Sequence, residues 1–307
     1  MWKIVSGLFL GWSLGANDSA NIFGTGVTTG IVKYRTAIWL TAAFVMLGAL
    51  LEGAKCMKVV SELSLLLPMD AFFCALAAAI TMTILTFIGI PASTSQAIIG
   101  AVMGAGIISG SADFSKLYKV VSCWVFTPIC GLTAGYLLHR VLGYLLDRTV
   151  KSLTRRNIFY SVGILAAGSY GAYTLGSNNV ANVTGVYVGS GILTPEQAVL
   201  IGALSIAMGV LTYSEKVMMT IGKGIVPLDP FSALVVVLAG ALTLHFFTQI
   251  GVPVSSSQAV VGAVVGVGFI GGVQTVSLKM LKKISVGWIM TPVSGGLLAY
   301  AFLKLLS

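Results

Sequence analysis

Charge is what this sequence has least of. Only 9% of its 307 residues are Asp, Glu, Lys or Arg, against 57% hydrophobic, and mean hydropathy is +0.98. No soluble domain keeps that balance along its whole length, so the chain reads as an integral membrane protein. Histidine is nearly absent, with His139 and His245 the two copies, both outside the polar motifs described below. Without histidine, paired carboxylates or an HExxH cluster in those motifs, the serine-rich strings lack the partners an intramembrane hydrolase needs. The four cysteines, Cys56, Cys74, Cys123 and Cys130, form no CxxC and have apolar neighbours, which fits packing rather than redox or metal chemistry. Strand-like alternation of apolar and polar residues is missing too. Helix-length apolar stretches, each near the ~20 residues that span a bilayer, stand in its place and exclude a barrel.

What is present is glycine, lysine and a small set of polar strings. The 37 glycines suit closely packed and interrupted transmembrane helices. The 18 Lys and Arg residues give a net charge of +9, yet they are scattered between apolar segments with no basic domain, so they set orientation and do not bind nucleic acid. Met1 to Leu14 carries Lys3 and an apolar run but no small-residue cleavage pattern, and reads as mature sequence.

Taken in order, Trp2 to Val32 is expected to be one span broken at Gly15-Ala16-Asn17-Asp18, and a second span is expected over about Ala37 to Val60. Ala71 to Ile88, the string Gly89-Ile90-Pro91-Ala92-Ser93-Thr94-Ser95-Gln96 and a short apolar piece to Ile108 suggest a re-entrant hairpin, since irregular backbone at membrane depth is tolerated only inside protein. Lys116 to Leu146 gives a further span, bent near Pro128. The pattern then repeats. Gly176-Ser177-Asn178-Asn179-Val180-Ala181-Asn182 matches residues 15–21, Pro253-Val254-Ser255-Ser256-Ser257-Gln258 matches 91–96, and Trp288 with Thr291-Pro292 matches Trp124 with Thr127-Pro128. The expected organisation is a first repeat over 1–147, a basic cytoplasmic link over 148–157 and a second repeat over 158–307.

Each repeat holds an odd number of spans, three plus a hairpin, so the second enters the membrane inverted. Placing both termini outside puts Lys33, Arg35, Arg140, Arg148, Lys151, Arg155, Arg156, Lys216, Lys223, Lys279, Lys282 and Lys283 inside. Lys3, Lys55, Lys58, Lys116, Lys119 and Lys304 are then outside, twelve against six. The fold class is therefore an all-α polytopic membrane protein with two inverted repeats, broken helices and re-entrant hairpins, the architecture of secondary transporters.

The chemistry centres on Asp18, an ionisable group at membrane depth among Asn17, Ser19 and Asn21. Ser93, Thr94 and Ser95, and again Ser255, Ser256 and Ser257, follow a proline and precede an apolar helix, as helix N-caps do, and helix N-termini bind anions. No Lys or Arg lies in any of these strings, so a bound anion facing Asp18 needs a mobile cation. Oxygen ligands for a hard ion such as Na⁺ are offered by Asn17, Asp18, Asn21, Gln96, Asn178, Asn179, Asn182 and Gln258. Asp18, Asn21, Gln96, Asn178, Asn182 and Gln258 are the inner choice. The competing reading of the amides is that they tie helices together. A protonated oxyanion such as phosphate can donate a hydrogen bond to Asp18, which sulfate cannot.

The duplicated Gly-Ala-Asn-Asp-x-x-Asn string and the two Pro-x-Ser-Ser/Thr-Ser-Gln strings resemble the signatures of the PiT-type inorganic phosphate transporters, across both repeats. That resemblance implies Na⁺- or H⁺-driven phosphate symport in the cell membrane by an inverted-repeat fold, often as a homodimer, with no cofactor beyond the coupling ion. Two departures stand out: Ser177 and Asn179 replace Ala and Asp in the second signature, and the link between repeats is short. Sulfate-moving relatives and a passive anion channel are the alternatives. Glu52 with Lys55, and Glu215 beside Lys216, read as interfacial charges.

Overall fold

The computed structural model describes residues 2–88, 92–221, 228–271 and 278–306. After one 3-10 turn, Trp2–Ile4, every regular element among the described residues is an α-helix. They run α1 (Val5–Asp18), α2 (Ala20–Thr28), α3 (Tyr34–Glu52), α4 (Ala54–Ser61), α5 (Pro68–Ile88), α6 (Thr94–Ser109), α7 (Phe114–Thr149), α8 (Leu153–Gly189), α9 (Pro195–Ile221), α10 (Pro230–Ile250), α11 (Ser256–Gly268) and α12 (Leu278–Leu306). Helices α3, α5, α7, α8, α9, α10 and α12 each contain a stretch long and apolar enough to cross a bilayer. Helices α6 and α11, of 16 and 13 residues, are too short to do so unaided. The protein is an all-α, polytopic membrane protein.

Packing exchanges the two halves. Helix α6 lies on α12 and α11 on α7, while α3 lies on α8 and α1 on α9. Glycine permits these close approaches. A Cβ on Gly100 would stand 2.1 Å from the Pro292 carbonyl oxygen, and one on Gly262 would stand 2.2 Å from that of Pro128. Backbone cannot yield to such a contact, so α6 and α11 each press against the proline-bearing turn of the other half's last helix. Leu10, Leu14, Phe23, Val45, Leu175 and Ile206 form part of the core around which this exchange closes.

Four expectations change in detail. The span expected over Ala37 to Val60 divides at Gly53 into α3 and α4, where α8 comes so near that a Cβ on Gly53 would meet Val180 at 2.4 Å. The first polar string interrupts its span only at Ser19, whose backbone stays helical (φ −59°, ψ −27°). The second string, 176–182, lies inside the unbroken α8, with Asn178 and Asn182 bonded sideways to α10 and α6. The link expected over 148–157 is non-helical only at 150–152, with Arg148 on α7 and Arg155 and Arg156 on α8. Residues 89–91, with Pro91 of the first hairpin string, and Lys223 lie outside the described residues.

Candidate functional site

The tips of the two hairpins meet. The Ser95 hydroxyl donates to the Val254 carbonyl at 2.9 Å, and the Ser257 hydroxyl donates to the Ala92 carbonyl at 3.4 Å, so each tip bonds the backbone of the other. Ser93 and Ser255 are the N-caps of α6 and α11. Their hydroxyls accept from the N–H groups of Gln96 (3.4 Å) and Gln258 (3.2 Å), as the serine strings suggested. Ser255 and Ser257 also share a hydrogen bond of 2.9 Å.

Around these two helix starts stand both copies of the Asn-rich motif. Asp18, at the end of α1 and 2% exposed, accepts from Ser256 through Oδ2 at 2.8 Å. Asn21, on α2, donates more weakly to the same Ser256 hydroxyl at 3.4 Å. From α8, Asn182 donates to Ser95 at 2.8 Å and to the Asn179 carboxamide oxygen at 2.9 Å. The first motif thus grips the second hairpin directly, and the second motif grips the first.

Two motif asparagines are engaged with the scaffold. Asn17 donates to Thr86 on α5 at 2.7 Å. Asn178 donates to Thr248 (3.0 Å) and to the Val252 carbonyl (3.3 Å), and accepts from the Val254 N–H at 2.9 Å. Both ends of its amide are bonded to the second hairpin and the helix before it, which makes Asn178 a tether of that hairpin. Thr86 and Thr248 were missed in the sequence because a lone threonine in an apolar span carries no motif.

Several buried polar atoms at this centre have no protein partner. The acceptors are Asp18 Oδ1, Asn182 Oδ1, Gln96 Oε1 and Gln258 Oε1; the Asn179 amide nitrogen is a donor, and the Ser19 and Thr94 hydroxyls can be either. Buried polar groups are nearly always bonded, so such a concentration leaves polar atoms that ligand or water can satisfy. Among the described residues no cluster of three His, Cys, Asp or Glu exists, which leaves a neutral amide and hydroxyl set with the single carboxylate of Asp18. Oxygen donors of this kind suit a hard monovalent or divalent cation rather than a soft transition metal. The free donors and hydroxyls suit an oxyanion.

A sequence profile of the Phosphate transporter family matches residues 14–299. The chain belongs to that family. Among its relatives is a Methanocaldococcus jannaschii protein named as a phosphate permease, 29% identical over 95% of this chain and 92% of the relative. The sulfate permease of Bacillus subtilis is 28% identical over 98% of this chain and 86% of its own length. A solved structure described as the sodium-dependent phosphate transporter shares the transporter's fold with a TM-score of 0.85, covering 99% of this chain and 98% of that one at 22% identity. The family is one of transporters and not of enzymes.

One polar cluster of the transporter lies apart from this centre and is larger than its sequence suggests. Glu52, at the end of α3, pairs with Lys55 (2.8 Å) and with His245 Nε2 (3.1 Å), and accepts from Gln249 at 3.2 Å. Tyr170 on α8 bonds the other ring nitrogen of His245 at 2.5 Å. Glu52 thus joins α3 to α10 and does more than mark an interface.

Proposed function

We propose that the transporter is a cation-coupled symporter of inorganic phosphate, with Na⁺ preferred to H⁺, working by alternating access in the cell membrane. The observation that carries this reading is the set of partnerless buried oxygens on Asp18, Asn182, Gln96 and Gln258, set around two helix N-termini that meet tip to tip. Cation ligands come from Asp18, Asn21, Asn182, Gln96 and Gln258, with Asn17 and Asn179 beside them. Phosphate is held by Thr94 and Ser256 and by the N–H groups at the starts of α6 and α11. Ser93, Ser95, Ser255 and Ser257 shape that cradle by fixing the hairpin tips.

Electrostatics supports the coupling. A phosphate beside buried Asp18, with no Lys or Arg in the centre, would leave two like charges unpaired in low dielectric. A cation that enters with the anion removes that cost, so neither binds well alone. The repeats are inverted in the membrane, with termini outside, the 150–152 link in the cytoplasm and the molecule a homodimer.

Phosphate uptake into proteoliposomes, with an inward Na⁺ gradient, an inward proton gradient or neither, tests the reading. Accumulation only with Na⁺, undiminished by excess sulfate, is the expected result. Equilibration without accumulation in all three conditions would make the protein a passive pore. The sulfate permease among the relatives favours a second reading, an oxyanion permease of broader choice, and inhibition by sulfate would support it.

A further inference from the structure

Residues 147–156, the link with the helix ends that flank it, carry four cations and one acid, and their pairing is uneven. Arg156 donates through Nη2 to Asp147 at 2.8 Å and through Nε to the Val150 carbonyl at 2.7 Å, so the single local carboxylate is consumed in bracing the turn. Asp229, on the neighbouring α10, is likewise occupied, as the N-cap accepting from Phe231 and Ser232. Arg148 lies over the Tyr144 ring, 4.4 Å from its centroid. Arg155 and Lys151 have no side-chain partner among the described residues.

Arg155 stands at the head of a groove of about 420 Å³ that runs down one face of α8 past Ile158, Phe159, Val162 and Ala166, walled by Val150 at the end of the link. The spacing from Arg155 to Ala166 keeps to a single helix stripe and spans about 16 Å at 1.5 Å per residue. That is close to half of the ~30 Å hydrocarbon core, one leaflet. Ile158 and Val162 are 59% and 60% exposed, so the apolar wall is open to the bilayer.

We propose that this groove is a binding site for an anionic phospholipid, its phosphodiester held by Arg155, beside the turn that carries Lys151, and one acyl chain laid along Ile158, Phe159 and Val162. A free phosphate ion would use the cations but has nothing to place in the apolar wall. A zwitterionic lipid would fill the wall but brings its own ammonium to the cluster. The match of both features to one molecule selects the anionic lipid. Its seat is on the link that joins the two halves, away from the polar centre, and the inference holds whatever the cargo.

Native mass spectrometry of the full chain, with palmitoyl-oleoyl phosphatidylglycerol or phosphatidylcholine added to the detergent, tests this. The wild type should retain phosphatidylglycerol in preference to phosphatidylcholine. Arg155→Gln should lower that retention about fivefold, the worth of one basic side chain at an anionic surface. Ala166→Phe, which keeps every cation and plugs the groove, should remove the bound lipid, and Lys119→Gln, a distant charge change, should leave it unaltered. Equal retention of the two lipids, indifference to Arg155→Gln or Ala166→Phe, or an equal loss in Lys119→Gln would overturn the proposal. Displacement of the lipid by millimolar inorganic phosphate would also overturn it and make the cluster a free-anion site.

Discussion

A carboxylate that is 2% exposed and bonded to one hydroxyl, as Asp18 is to Ser256, is unstable as an anion unless its second oxygen gains a partner. That is the physical basis for assigning it to the cation. Asp18→Asn keeps an acceptor for Ser256 but removes the charge, so cation-driven uptake should fall about tenfold or more, a loss of at least ~1.4 kcal/mol in coupling. Wild-type uptake by this variant would take Asp18 out of the mechanism. The serine strings separate by their bonds. Thr94 has a buried hydroxyl with no partner, so the near-isosteric Thr94→Val should weaken phosphate binding while the melting temperature holds. Ser95 bonds both Asn182 and Val254, and Ser95→Ala should cost about 1–3 kcal/mol of stability by orphaning the carbonyl. Thermal melts beside phosphate titrations distinguish the two; a stability loss in Thr94→Val would mean that its hydroxyl is structural. The sequence made the polar residues conspicuous because so little else in the chain is polar. It could not tell Thr94 from Ser95, since that difference depends on which atoms the opposite hairpin brings.

Single elements show the same division between what pattern reveals and what packing decides. That the serine strings cap α6 and α11 was legible, because each follows a proline and precedes an apolar helix; that Ser93 and Ser255 are the capping residues was not. The continuity of α8 through its polar string was not legible either, because the same residue types interrupt the helix at Ser19 in the first copy and lie within an unbroken helix in the second. Nor does a glycine announce which helix it faces. Gly262→Ala places a methyl against the Pro128 carbonyl, and overpacking of that kind costs ~1–3 kcal/mol. A lowered melting temperature in detergent is expected, and an unchanged one would show that α11 can slide on α7 without loss.

At the scale of the whole molecule, the internal repeat was plain in the sequence, because three landmarks recur in one order at nearly constant spacing. The exchange of partners between the halves was hidden, since no local pattern says that α6 should lie on α12 rather than on α7. The orientation proposed above rests on the Lys and Arg bias alone. Single cysteines placed at 3 and 304, in a chain with its own four cysteines changed to alanine, should label with an impermeant maleimide on intact cells, and one at 151 should not. Labelling at 151 alone would turn the molecule over.

The crossed packing also sets an order of assembly. Helix α6 carries the glutamine of the first hairpin, yet the larger surface it rests on belongs to α12, which follows far behind it in the chain. More than half of the chain is made between the two. Until α12 enters the bilayer, Gly100 lacks the Pro292 backbone it packs on, and the first hairpin is held chiefly by α5. A chain without α12 would keep both motifs written in full but lose the larger of the surfaces that hold the first hairpin in place.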